Sequence, residues 1–240
     1  MRSIFTGIEY AGKTTLIDLL EAYYRKRRRP THNDDHFTIP DASLSPESRK
    51  KMLDFPDDIK ERMQRMQIYY HVDIIKNYPH PLIGGWFLEE AVYCALYGNE
   101  ADSPYYPGYH YHFQRLYEAS VIEAKLPDVV LFHLTASDEV IRERMRTNPH
   151  PFQIIREKDI AELKKRFEEE VERSLFTQKG CTVKLDTTDK TPEQSLDELL
   201  LKTESLVTDG EVAMRAMPVP NDEYEVRYEN GVRKTIPASG

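Results

Sequence analysis

The run Gly7-Ile8-Glu9-Tyr10-Ala11-Gly12-Lys13-Thr14 constrains this chain more than any other feature. It matches G-x-x-x-x-G-K-[ST] at every position. A short apolar run, Ser3 to Thr6, leads into it, and an amphipathic segment leaves it. Strand, glycine turn and helix form the context in which such a loop cradles phosphate. Gly7 and Gly12 permit backbone angles that residues with a Cβ avoid, so main-chain N–H groups turn inward. Those groups, with the positive end of the helix, form a cradle for phosphate oxygens. Lys13 adds a mobile point charge for β- and γ-phosphates, and Thr14 offers a hydroxyl to Mg²⁺. The loop therefore predicts a nucleoside triphosphate site built from Gly7, Ala11, Gly12, Lys13, Thr14 and Thr15. It leaves open the fate of the γ-phosphate: a kinase, a GTPase-like switch and a mechanical ATPase all share it.

Beyond the loop, short apolar runs alternate with long charged amphipathic segments, the rhythm of an α/β layer protein with a mostly parallel sheet. Leu16, Leu19, Leu20 and Tyr23 fall on one face of a helix from Thr14 to about Arg28. The basic run Arg25 to Arg29 reads as its solvated last turn. A second strand is expected within Thr31 to Phe37, and helix over Pro46 to Tyr78 with a break near Pro56. Pro81 to Ile83 reads as a third strand, Phe87 to Tyr97 as a helix stopped by Gly98, and Tyr109 to Lys125 as a further helix. Val129 to Leu134 is the clearest buried strand, and Ser137 caps the helix behind it. A charged helix over Asp159 to Phe176, a strand over Cys181 to Leu185 and a Thr191-capped helix from Pro192 to about Val207 complete the pattern. Residues 209–240 differ in kind: they read as a linker followed by a C-terminal β-hairpin turning at Asn230-Gly231. The expectation is a three-layer phosphate-loop fold over 1–208, with a roughly five-stranded parallel sheet, and an appendage over 209–240.

Composition narrows the partners. The 240 residues carry 33 basic and 41 acidic side chains, a formal net charge of -8. That argues against adhesion of the whole chain to polymeric nucleic acid or an anionic membrane. No apolar run approaches the ~18 residues of a membrane span. The two cysteines, Cys94 and Cys181, lie far apart and suggest neither a disulfide framework nor a zinc site. The loop begins so early that no signal peptide is expected before it, and a cytoplasmic setting follows. A homodimer is left open.

Three segments, in order, resemble the thymidylate kinase and deoxynucleoside kinase group. The first is Gly7 to Thr15, including the acidic Glu9 two residues after the first glycine. The second is Pro127 to Leu134 followed by Ser137 to Arg146, similar to that group's fourth strand and the helix leading to an arginine-bearing lid. The third is Val183 to Thr188 with Thr191-Pro192-Glu193, similar to its last strand and adenine-side loop. The resemblance covers roughly residues 1–207. It implies ATP and Mg²⁺ as cofactors and a nucleoside or nucleoside monophosphate as the small-molecule acceptor. Phosphoryl transfer needs positioning and positive charge more than covalent chemistry from the protein. Arg142 and Arg146 share a helical face and are the expected lid cations, in a lid around 142–158; Arg144 is less favoured.

The resemblance breaks after the third strand. The group carries an acid and an arginine there, and this chain has Gly85-Trp86. Replacement acids are Glu9, the pair Asp34 and Asp35 at the end of strand two, and Glu89 with Glu90. The Asp34-Asp35-His36-Phe37 run also resembles an element of small-molecule hydroxyl kinases such as nicotinamide riboside and uridine kinases. Trp86, Glu89, Tyr93 and Tyr109 fall where the resemblance holds the acceptor base, although buried aromatics more often pack a core. Two other readings stay open: a kinase acting on the hydroxyl of a non-nucleotide metabolite, and a catalytically degenerate nucleotide-binding regulator.

Overall fold

The computed structural model describes residues 1–35, 44–98, 113–126, 128–150, 154–219, 224–229 and 232–237. Its centre is β1 (Arg2–Gly7), in which Ser3 through Gly7 are all buried. A strand covered on both faces must be apolar or small throughout, and this one is. It pairs in parallel with β3 (Pro81–Gly84) on one side and β4 (Val129–Thr135) on the other. The edges are β2 (His32–Asp35) and β5 (Thr182–Asp186), giving the order β2-β3-β1-β4-β5. Both edges are polar: β2 reads His-Asn-Asp-Asp, and β5 alternates buried Val183 and Leu185 with exposed Lys184 and Asp186. Charged edges discourage pairing with another chain.

The helices are α1 (Lys13–Lys26), α2 (Pro46–Leu53), α3 (Asp57–Asn77), α4 (Phe87–Tyr97), α5 (Phe113–Ala124), α6 (Asp138–Thr147), α7 (Ile160–Arg173), α8 (Leu175–Gln178), α9 (Pro192–Lys202) and α10 (Asp209–Ala216). Strand alternation sorts the core into two layers around the sheet. Phe5, Leu82, Val130 and Phe132 join Leu16, Ile17 and Leu20 of α1 and Leu199 of α9. Ile4, Ile83, Val129 and Leu131 join Ile74 and Ile75 of α3, Ile122 of α5 and Phe176 of α8. Phe5 and Phe132, paired in register, stack at 4.8 Å. None of the described helices is long and apolar enough to cross a membrane.

The expected break near Pro56 falls between α2 and α3, where Pro56 sits at the N-cap in extended conformation. The single helix expected over 159–176 is two. Ser174 turns extended, and its hydroxyl accepts the Phe176 N–H at 3.2 Å to start α8. Glu123 of α5 stabilises the same break, accepting the Leu175 N–H at 2.6 Å and the Ser174 hydroxyl at 3.1 Å. The helix from Pro192 stops at Thr203, whose hydroxyl donates back to the Leu199 carbonyl.

The segment read as a linker after 208 begins with a helix. α10 is capped by Thr208 and buries Glu211 and Met214. Glu211 accepts from the Tyr24 hydroxyl at 2.6 Å, the Met1 amine at 3.1 Å and Arg215 at 3.1 Å. Burial pushes this carboxyl up, but those three donors outweigh it and hold it below the usual range. Further on, Tyr224–Glu229 and Val232–Pro237 pair antiparallel as a separate two-stranded sheet, β6 and β7; the Asn230-Gly231 turn lies outside the described residues.

Two predictions follow from this packing. Burial raises the Glu123 carboxyl to about 7, against the lowering effect of its Leu175 and Ser174 donors. Taken alone, this group makes the folded state bind more protons than the unfolded one between the ordinary carboxylate range and pH 7, so its contribution falls as pH rises through that window. Burial pushes His80 and His133 down to about 4, and those two act in the opposite sense over the same range. The Glu123 contribution is therefore read as a difference: relative to Glu123→Gln, the wild type should lose roughly 3 kcal/mol between about pH 5 and about pH 8 in urea denaturation. Gly7 lies at φ +140, where an added Cβ would stand 2.1 Å from the Leu134 carbonyl oxygen. Gly7→Ala is expected to cost more than ~3 kcal/mol in the same assay, because backbone rather than a flexible side chain must move. A loss under ~1 kcal/mol would show that the loop relaxes freely.

Candidate functional site

The carboxyl ends of the central strands and the start of α1 meet at the Gly7–Thr14 loop, where open α/β sheets place their sites. Gly12 is the N-cap of α1 in the left-handed conformation, with no side-chain cap and no acidic residue in the first turn. By contrast, α6, α9 and α10 are capped by Ser137, Thr191 and Thr208 and carry acids in their first turns. The first N–H groups of α1 have no intrahelical acceptor, so its positive end is left for an anion. Tyr10 holds φ +67 without being glycine. Two contacts fix it: its carbonyl accepts from Arg144 at 2.8 Å, and its hydroxyl accepts the His150 N–H at 2.9 Å. Ala11 is buried, with its N–H on the Ile8 carbonyl and its carbonyl accepting from Thr187 at 3.0 Å. Its amide therefore closes the loop's own turn.

Lys13 is mostly buried. Its Nζ donates to the Gly7 carbonyl at 2.6 Å and lies 3.1 Å from Glu89 Oε1 and 3.6 Å from Glu9 Oε1. An ammonium in such a place needs counter-charge, and two carboxylates supply it. Glu89 comes from the first turn of α4 and is 4% exposed. Gly85, at φ +83, sends its N–H to the Phe5 carbonyl at 2.6 Å and so ties the turn after β3 to β1. The carboxylate nearest Lys13 thus comes from the first turn of α4, four residues after Gly85. Glu90 beside it is also buried.

Trp86 and Tyr93 do not present faces to a base. Both are 0% exposed. Trp86 packs against Phe87 at 5.3 Å and His71 at 6.4 Å in the core. Tyr93 lies edge-on to Phe167, and its hydroxyl accepts the Glu9 N–H at 3.2 Å, so it braces the loop from beneath. The aromatic signal in the sequence was a packing signal at these two positions. Tyr109 lies outside the described residues.

The arginines are sorted differently from expectation. Arg142 lies among Asp138, Glu139 and Glu157 at 3.3 to 3.8 Å, and Arg146 pairs with Glu143 at 3.0 Å. Arg144, the less favoured one, reaches the loop. It donates to Tyr10 O, to Thr187 Oγ1 at 3.0 Å and to Thr187 O at 3.1 Å. Helical period explains this: residues two apart point away from each other, and only one set faces the sheet. Asp34 sits on β2 opposite Ile83, with its carboxylate 3.6 Å from His71 of α3. The backbone of Asp35 pairs with Gly84; its side chain lies outside the described residues.

The loop borders a cleft of about 480 Å³, lined among others by Lys13, Thr14, Thr15, Arg144, His150 and Thr187; Glu89, Arg142, Arg146 and Asp34 do not line it. Thr14 is exposed at its mouth. Among the described residues there is no group of three or more His, Cys, Asp or Glu able to hold a metal. A hydroxyl such as that of Thr14 suits Mg²⁺, which keeps most of its waters and leans on ligand phosphates.

No family model matches the sequence, and no curated protein matches it. Solved structures do match in three dimensions. Thymidylate kinase from Candida albicans aligns at a TM-score of 0.55 and 16% identity, covering 85% of this chain and 90% of that one. Deoxyadenosine kinase from M. mycoides with bound dATP aligns at 0.53 and 17%, covering 84% and 98%. The YorR protein of Bacillus subtilis, in complex with phosphorylated GDP, aligns at 0.51 and 16%, covering 86% and 98%. At these identities the likeness is one of fold: the chain shares the phosphate-loop fold of nucleoside and nucleotide kinases.

Proposed function

We propose that this chain is a phosphotransferase that binds ATP with Mg²⁺ on the Gly7–Thr15 loop and passes the γ-phosphoryl group to a nucleoside or nucleoside monophosphate. The observation that carries the reading is Lys13 held between the Gly7 carbonyl, Glu9 and Glu89 at the uncapped start of α1. In a transferase, that second acid is placed to orient an acceptor beside the transferring group. The shared fold with thymidylate and deoxyadenosine kinases supports the acceptor class.

The residues divide the work. Amides at the start of α1 receive the phosphates, and Lys13 swings its charge from Glu89 to them. Thr14 would hold Mg²⁺, which when bound neutralises charge on the phosphate oxygens. Arg144 fixes the loop to Thr187 on the nucleotide side. Released from Lys13, Glu89 orients the acceptor; for a hydroxyl acceptor it takes the proton as the new O–P bond forms and the bond to ADP breaks.

A second reading, transfer to a hydroxyl of a non-nucleotide metabolite, draws on the same geometry. Glu9 and Glu89 flank Lys13, and Gly85-Trp86 replace the expected acid and arginine, so an uncharged acceptor meets less repulsion here than a phosphate dianion. ADP release should therefore be measured over a panel of nucleosides, monophosphates and simple alcohols. Lys13→Ala is expected to abolish transfer with its circular dichroism spectrum retained. Glu89→Gln should lower kcat by about 10²–10⁴-fold while nucleotide affinity changes little. Unchanged turnover in the lysine variant would remove the loop from the reaction.

A further inference from the structure

Resting on the reading of the cleft as a nucleotide site, we infer that His150 is a positioning residue that takes up a proton when a nucleoside polyphosphate enters. The segment after α6 would then add its positive charge to the site only in the bound state.

The inference starts from where the cations of this segment go. Arg142 is committed to Asp138, Glu139 and Glu157, and Arg146 to Glu143. Arg144 is aimed inward but held by Tyr10 and Thr187 carbonyls. His150 is the next basic group, and it lines the cleft with Glu9 and Lys13. Its backbone is fixed there: the N–H donates to the Tyr10 hydroxyl at 2.9 Å, so loop and segment move together. Tyr10 itself is held at φ +67 from the loop side.

The charged and titratable groups that line the cleft with His150 are Glu9, Tyr10 and Lys13 from the loop, Arg144 from α6 and Lys190 from the turn before α9. Burial pushes the imidazole down, and Glu9 pulls it partly back up. Without ligand it is therefore neutral near pH 7. A polyphosphate brings several negative charges into a half-enclosed cleft, and an opposite charge at this range favours the protonated ring. Lys13 leaving Glu9 for the phosphates acts in the same direction, since it bares the Glu9 carboxylate. Each unit by which binding raises the imidazole is worth tenfold in affinity on the acid side.

The test is titration calorimetry with a non-hydrolysable ATP analogue and Mg²⁺, in buffers of different ionisation enthalpy, on the full chain and on His150→Gln. The analogue's own protons titrate in both and cancel. The wild type is expected to take up more protons than the variant near pH 7. Its affinity advantage over the variant should be about tenfold at about pH 6 and should vanish by about pH 8. Equal proton uptake in the two proteins overturns the inference and leaves the nucleotide reading standing. So does a loss of affinity that is the same at both pH values, which is what a merely structural role would give. Absence of binding by the wild type at either pH would overturn the nucleotide reading itself.

Discussion

The structure is arranged around one buried ammonium. Lys13 emerges where β1 ends and α1 begins, inside the end of a parallel sheet, where a bare charge is costly. The fold offsets that cost three times over, with the Gly7 carbonyl, with Glu9 and with Glu89. Each compensation is also a constraint. Gly7 must lie against Leu134 with no Cβ between them. Glu9 must be steadied from below by Tyr93. α4 must start early enough after β3 for its first turn to reach the loop, and the Gly85 bond to Phe5 sets that start. A ligand that brings its own negative charge, such as the proposed nucleotide, would take over these roles.

The opposite end of the sheet has a second buried charge, and it is handled differently. Glu211 collects the Tyr24 hydroxyl, the Met1 amine and Arg215. His80 beside it is pushed down to about 4, first by burial and then by the nearby ammonium. The two clusters differ in setting: Glu211 is held by donors at the far end of the sheet, whereas Lys13 lies among two carboxylates at the edge of the cleft.

Much of this was legible in the sequence. The loop, the sheet, the break at Pro56 and the caps at Ser137 and Thr191 rest on local rules, in which a residue's neighbours along the chain decide its conformation. The misreadings at the site and at α10 came from contacts between distant residues. Trp86 and Tyr93 look like base-stacking aromatics until the sheet and α7 close over them. Arg144 looks like the least placed of three arginines until the helix meets Thr187, 43 positions on. α10 looked like a linker because Glu211 reads as a surface charge, and its partners Tyr24 and Met1 lie 187 and 210 residues away. Glu89 was among the candidate acids, but only the turn of α4 distinguishes it from Asp34, which faces His71 instead.

The position of β1 has a consequence for folding. Its two neighbours in the sheet are not adjacent in sequence but begin at Pro81 and Val129. A central strand with no hairpin partner stays apolar and unpaired until those distant segments reach it. Parallel pairing across such separations is slow and leaves sticky intermediates exposed. The loop can therefore take its final shape only late, once β4 has arrived to press against Gly7.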